Sequence, residues 1–447
     1  MVTANLDESA KEFVLRTVKE QDVKFIRLWF TDVLGALKGF SISPAQLEEA
    51  LEYGIGFDGA SIEGYARVGE SDMVAIPDPN TFAMLPWRPQ HPGVARVFAD
   101  LYTPDGAPFE GDPRYVLRRN LERAAEMGFT FYVGPELEYF YFNGSDDPTP
   151  LDQGGYFDQM PLDVASDLRR ETILTLEEMG IEAEYSHHEV APGQDEIVLR
   201  YSDALTMADN CMTYRLVVKE IARQHGVYAT FMPKPLADVN GSGMHTHQSL
   251  FRGEANAFYD ADSPDHLSVT ARNYIGGILH YAPDFTAITN QWVNSYKRLV
   301  AGFEAPVHIS WARRNQSDLI RVPRIPENRP DFARIEYRAP DPACNPYLAF
   351  SVMLAAGLAG IEQGIEPPPP MEQDVFAMTD QERADLGIGS LPGSLREAIQ
   401  LVEGSEFVRG VLGDHAFQSF VTNKRIEDDE YRAQVTDYEV RRYLPAL

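Results

Sequence analysis

Three stretches of this 447-residue chain, far apart in the sequence, repeat one pattern: polar metal- or phosphate-binding groups two residues apart inside short apolar runs. Gly134-Pro135-Glu136-Leu137-Glu138-Tyr139-Phe140 carries two glutamates around a leucine. Met244-His245-Thr246-His247-Gln248-Ser249 carries two histidines and a serine. Arg334-Ile335-Glu336-Tyr337-Arg338 carries two arginines around a glutamate. On a β-strand, side chains at i and i+2 share a face. Each stretch is therefore expected to be a strand that turns its apolar residues into a core and its charged residues to the other side. Strands need partners for their backbone N–H and C=O groups, so the pattern predicts a sheet with one chemically loaded face. Each stretch alone also fits a solvated strand face, the ordinary place for charged residues; only the stretches together point to a site.

Other segments supply the same kinds of group. His187-His188-Glu189 and Gln194-Asp195-Glu196 are joined by Pro192-Gly193, a turn that would bring Glu189 and Glu196 together. The Asn240-Gly241-Ser242-Gly243 loop permits tight turns and close backbone approach to a ligand. Glu304 lies between Gly302 and Pro306 and is expected on a loop. Oxygen ligands with an occasional imidazole suit magnesium or manganese. Divalent cations beside arginines point to a polyphosphate and to phosphoryl transfer. There is no G-x-x-x-x-G-K-[ST] sequence, so a nucleotide site would not be a P-loop, and no G-x-S-x-G nucleophile elbow.

Composition removes several alternatives. The 39 Lys+Arg against 68 Asp+Glu leave a net charge of −29, which excludes a chain-wide basic footprint and makes nucleic acid an unexpected partner. Cys211 and Cys344 cannot form a disulfide framework or a C-x-x-C zinc site. The first residues carry Asp7 and Glu8 and no apolar stretch of the secretory type. Tyr347 to Ile361 is the longest apolar run and suits a buried helix rather than a membrane span. A soluble, cytoplasmic location is expected.

Along the chain, residues 12–40 read as a helix followed by a strand pair, with Phe25 to Phe30 apolar on both faces. Val94 to Leu101 reads as another strand. Residues 102–113 hold prolines and glycines without a long apolar run and mark a domain boundary. Pro113 to Met127 has a helical pattern, Phe129 to Phe142 a strand pattern, and helices dominate from about residue 343. The expected class is α+β: a small N-terminal sheet domain, residues 1–108, and a large C-terminal domain, residues 109–447, built on an antiparallel sheet with helices.

These motifs, in this order, resemble the glutamine synthetase family, class I. The similarity runs from Phe25 to Leu444. It includes Asp58-Gly59-Ala60-Ser61-Ile62, the Gly134–Phe140 strand, Gly154-Gly155-Tyr156-Phe157, His187 to Glu196, Phe231-Met232-Pro233-Lys234-Pro235, Asn240 to Ser249, Asn294 to Arg298 and Arg334 to Pro342. The resemblance implies a β-grasp N-terminal domain and ATP-dependent ligation of ammonia to the γ-carboxylate of glutamate through γ-glutamyl phosphate. It implies two or more Mg2+ or Mn2+ ions, one held by Glu138, Glu189 and Glu196, another by Glu136, His245 and Glu336. Arg298 would bind the glutamate α-carboxylate, with Asn240 and Gly241 near its amino group. Arg321, Arg334 and Arg338 would bind phosphate and substrate. Glu184, Tyr201, His247 and Ser249 match nucleotide positions. Asp58, Ser61, Tyr156 and Glu189 would form an ammonium pocket, with Asp58 as the base, and Glu304 would be a shielding flap. The family also implies a dodecamer of two hexameric rings, in which the Asp58 loop reaches a neighbouring subunit.

The sequence departs from the pattern at named places. Gln316 stands where the family usually has an arginine contacting the transferred phosphate, and Ala60 replaces a serine. Phe376 replaces the tyrosine that some members modify. Arg67 matches a feedback-sensing arginine, which makes the chain α-like. Gln316 keeps a second acceptor class in view: an organic amine giving a γ-glutamylamide from the same activated intermediate.

Overall fold

The computed structural model describes residues 8–60, 72–88, 92–303 and 305–447. The N-terminal elements run α1 (Glu8–Glu20), β1 (Val23–Thr31), β2 (Leu37–Ile42), α2 (Pro44–Tyr53), β3 (Ile55–Asp58), β4 (Asp72–Pro77), β5 (Ala83–Met84) and β6 (Gly93–Tyr102). Their sheet has the order β2-β1-β6-β4-β3, with β5 also on β6; β1 and β6 are parallel and the other pairs antiparallel. The sequence's two-sided apolar strands have a concrete use here. Ile26, Leu28 and Val97 pack with Val14, Leu47 and Leu51 into a small core, whereas Trp29 and Phe98 join the core of the larger domain. The Trp29 and Phe98 rings meet edge to face at 5.7 Å, a geometry their quadrupoles favour.

The chain then forms α3 (Pro113–Glu126), β7 (Thr130–Phe142), α4 (Ser166–Glu178), β8 (Ala183–His188), β9 (Gln194–Leu199), β10 (Ser202–Asp203), α5 (Ala204–Gln224), β11 (Tyr228–Thr230), β12 (Met244–Arg252), β13 (Ala255–Asn256), α6 (Val269–Thr289), α7 (Ser295–Arg298), β14 (Trp311–Ala312), β15 (Ile320–Arg321), β16 (Ile335–Tyr337) and α8 (Pro346–Gln363). Asp112 starts α3 by accepting from the Arg114 N–H, with Pro113 at the first helical position. The larger sheet has the order β14-β15-β16-β12-β7-β9-β8, with β10 and β11 on β7 and β13 on β12. It is antiparallel apart from the β14–β15 pair at one edge.

Behind this sheet α6 packs on α8, where Gly277 and Gly360 let the two backbones approach. Helix α8 is buried from Pro346 to Gly360, which is why its sequence is apolar all round. Asn345 caps it by accepting from the Tyr347 and Leu348 N–H groups, and its own amide donates to the Asp32 and Val33 carbonyls in the β1–β2 turn. The cap thereby joins both domains. No described helix is long and apolar enough to cross a membrane.

Candidate active site

Strand register decides which of the loaded positions meet. On β7, Glu136 lies opposite His245 of β12, and Glu138 lies opposite Glu196 of β9. Glu196 in turn faces His187 of β8. On the other flank, His247 of β12 is paired with Glu336 of β16, and Glu336 with Arg321 of β15. Six strands thus bring their charged positions to one face. They line a cavity of about 510 Å³ together with Tyr156, Glu189, Asn240, Gly241, Arg298, Gln316, Arg334 and Arg338.

Two groups within this wall have metal-ligand geometry. Glu136, His245 and Glu336 each offer an atom within 4.8 Å of the others, and so do His187, Glu189 and Glu196. In the first group, His247 Nε2 lies 3.0 Å from Glu136, and Arg321 and Arg338 both donate to Glu336. Burial raises the Glu136 carboxyl, but the His247 charge and the two imidazole contacts outweigh it and hold it well below the usual range. Burial and then the Arg338 charge depress His245, favouring the neutral imidazole that a cation needs.

The second group is short of positive charge. Burial and the neighbouring Glu189 lift the Glu138 carboxyl to about 8. Burial and the charges of Glu136, Glu138 and Glu189 lift Glu196 well above its ordinary value. Glu138 accepts from the Gln194 amide at 2.8 Å and from the Gly243 N–H at 3.0 Å. Glu196 Oε1 and His187 Nδ1 are buried without a hydrogen-bond partner among the described residues. Buried orphan acceptors are costly. Carboxylates that repel one another, with a spare lone pair and an imidazole beside them, fit a hard divalent cation.

Gly243 is needed at the centre of this wall, because a Cβ there would lie 2.7 Å from Arg298 Nη2 and 3.0 Å from His245 Nε2. Arg298, 2% exposed, is braced by the carbonyls of Arg338, Ala339 and Pro340. A second cavity of about 380 Å³ adjoins the first through Glu136, Tyr185, His247 and Arg334, and its wall includes Glu184, Tyr201 and Ser249.

Most of the described residues singled out from the sequence therefore meet, but Asp58 does not. Asp58 ends the edge strand β3, where its carboxylate accepts from the Ala60 N–H; it is not on either cavity wall of its own chain. Ser61 and Glu304 lie outside the described residues, as does Arg67. Two residues went unassigned from sequence. His187 shares a strand face with Glu189 by the same i, i+2 rule, and Gln194 shares one with Glu196. Both stand in the segment where the Pro192-Gly193 turn is the expected link, and i, i+2 parity is the signal that finds them.

Residues 22–104 match the family description "glutamine synthetase, beta-grasp domain", and residues 110–443 match "glutamine synthetase, catalytic domain". A glutamine synthetase of Mycolicibacterium smegmatis is 54% identical over 440 residues, 97% of this chain and 99% of that protein. One from Methanosarcina mazei is 54% identical over 443 residues, 98% of each. One from Thermotoga maritima is 51% identical over 437 residues, 97% of this chain and 99% of that protein. A solved structure described as a GmaS/ADP complex superposes with a TM-score of 0.87 at 33% identity, covering 97% of this chain and 99% of that one.

Proposed function

This chain belongs to the glutamine synthetase family and joins ammonia to the γ-carboxylate of glutamate at the expense of ATP; we propose that it does so on the loaded face of the larger sheet. The observation that carries this reading is the pair of ligand groups, Glu136/His245/Glu336 and His187/Glu189/Glu196, facing one cavity.

In this reading the adenosine part of ATP occupies the cavity lined by Glu184, Tyr201, His247 and Ser249, and its phosphates extend toward Arg321, Arg334 and Arg338. Arg298, with Asn240 and Gly241, receives the amino-acid end of glutamate. Two Mg2+ or Mn2+ ions, one per ligand group with Glu138 beside the second, would neutralise the phosphate oxygens and the crowded carboxylates. The arginines screen the approach of one anion to another, so that the glutamate γ-carboxylate attacks the γ-phosphorus and ADP departs. Ammonium is drawn to the acidic wall of Glu189 and Tyr156, loses a proton to a carboxylate, and displaces phosphate from γ-glutamyl phosphate. Asp58 would be that base from a second copy, since it sits on an exposed edge strand away from its own cavity. This supports a ring assembly with sites between subunits, a dodecamer of two hexamers; by the family resemblance Ser61 would belong to the ammonium pocket and Glu304 would be its shielding flap.

The test is phosphate release from glutamate, ATP and ammonium by the wild type and Glu138→Ala. Loss of turnover in the variant is expected; full turnover would remove Glu138 from the machinery. Running the assay with ethanolamine, putrescine and a small alkylamine in place of ammonium addresses the organic-amine reading, which the neutral Gln316 on the cavity wall keeps open. Turnover with one of these and none with ammonium would reverse the assignment of acceptor.

A further inference from the structure

Beneath Glu189 and Tyr156 lies a buried pair that the reaction as described does not use. His188, at the end of β8, is fully buried. Its ring bridges two acceptors: Nδ1 lies 2.6 Å from the Glu189 carbonyl oxygen and Nε2 lies 2.9 Å from Asp152 Oδ1. Asp152 Oδ1 also accepts from the N–H groups of Gly154 at 3.3 Å and Gly193 at 3.0 Å, and Oδ2 accepts from the Val164 N–H at 2.9 Å. The main chain repeats the link, because the Phe157 N–H donates to the His188 carbonyl at 3.1 Å. Gly154 makes room for the ring: a Cβ there would lie 2.7 Å from His188 Nε2. The loop clamped in this way presents Tyr156, whose ring stacks on Phe157 at 4.1 Å, and Phe157 in turn meets His187 at 4.7 Å.

One carboxylate therefore holds the Pro192-Gly193 turn, the 154–157 loop and an imidazole, and the imidazole holds the peptide of Glu189. We infer that Asp152 and His188 are a positioning pair that fixes Glu189 and Tyr156 relative to each other, so that the cation site and the ammonium-facing wall are set by a single buried bridge. The inference rests on the reading of Glu189 as a cation ligand and of Tyr156 as part of the ammonium pocket. Its physical basis is that a side chain's reach is set by its own peptide: tilting the Glu189 carbonyl moves the carboxylate, and releasing Asp152 frees the loop. Groups that orient metal ligands from outside are commonly worth tenfold to a hundredfold in affinity.

The two halves of the bridge can be cut separately. An asparagine amide reproduces imidazole Nδ1, and a glutamine amide reproduces Nε2. His188→Asn keeps the bond to Glu189 and releases Asp152; His188→Gln keeps Asp152 and releases Glu189. Mn2+ alone is titrated into the full chain by calorimetry, and kcat and the KM for ammonium are measured in parallel. His188→Gln is expected to weaken Mn2+ binding by about tenfold or more, while His188→Asn leaves it within about twofold and raises the ammonium KM by about tenfold. Asp152→Asn, which keeps size and shape, should follow His188→Asn. Equal responses in the two His188 variants, or none, would overturn the inference. A wild type that takes up no Mn2+ would instead overturn the cation-site reading itself.

Discussion

At the junction of the two domains, Arg114 donates to Asp78 at 2.9 Å, to Asp100 at 2.5 Å and to Asp209 at 2.9 Å, and Arg118 adds bonds to Asp78 and Asp100. On the face of the larger sheet, Glu138, Glu189 and Glu196 crowd together around one imidazole, with amide and peptide donors as their hydrogen-bond partners. Both clusters are acidic and largely buried, yet their electrostatics are opposite. Burial raises Asp78, but Arg114 and Arg118 outweigh it and hold it below its ordinary value. Glu138 and Glu196 are pushed up instead. The first cluster carries its cations in the sequence; in the second, Arg298 and Arg338 do not offset burial and carboxylate repulsion, which suits the cations proposed from solution. Buried acidity by itself is thus no sign of a site, whereas acidity that its own counter-charge does not offset is.

The contrast can be broken most severely at Glu196. Glu196→Gln is expected to lower kcat/KM by about 10²–10³-fold or more, while the melting temperature of the chelator-treated protein stays level or rises because a repelled charge has gone. Steady-state kinetics and calorimetry on the same samples read both. Arg114→Met should do the reverse, costing about 3–5 kcal/mol of stability by stranding buried carboxylates and sparing turnover of the folded fraction; denaturant unfolding measures it. A saturating divalent cation, at about a hundred times its dissociation constant, should add about 2.7 kcal/mol, visible as a melting shift that chelator reverses.

The pH dependence should also differ in sign. For Glu138, the folded value of about 8 stands above the unfolded value near ~4.3. Its contribution is present below the unfolded value and lost as pH rises through about 8. The metal-free protein should therefore weaken from about pH 5 to 8, and Mn2+ affinity should climb over the same window as the competing proton leaves. Asp78 is depressed, so its contribution is present above an unfolded value near ~3.9 and fails only in stronger acid. Calorimetric titration across pH, with and without chelator, separates the two. The smallest effect belongs to Arg118→Ala, whose partly exposed side chain should be worth no more than about 1 kcal/mol.

Much of this geometry was legible from parity alone. The i, i+2 rule put Glu136 with Glu138, His245 with His247, and Arg334 with Glu336 and Arg338, because each lies on or beside a real strand. Parity fixes a face and leaves register open. That Glu136 would stand opposite His245, and Glu138 opposite Glu196, depends on how separate strands slide against one another, which local sequence does not encode. The burial of His188 and Asp152 was hidden for a related reason: apart from each other, their partners are peptide groups, and these look the same at every position of a sequence. Asp58 illustrates the opposite limit. The family resemblance named it, but one chain places it on an outer edge, and only the proposed assembly would set it against another copy.

The division of labour between the faces of β1 and β6 has a mechanical consequence. Because Trp29 and Phe98 are seated among side chains of the larger domain while their strand neighbours Leu28 and Val97 face the small core, the N-terminal sheet is a shared wall and not a detachable module. Heating should melt both halves in a single cooperative transition. A fragment ending near residue 108 would expose an aromatic surface to solvent and aggregate, so exchange of this domain between relatives would succeed only if the facing residues travelled with it.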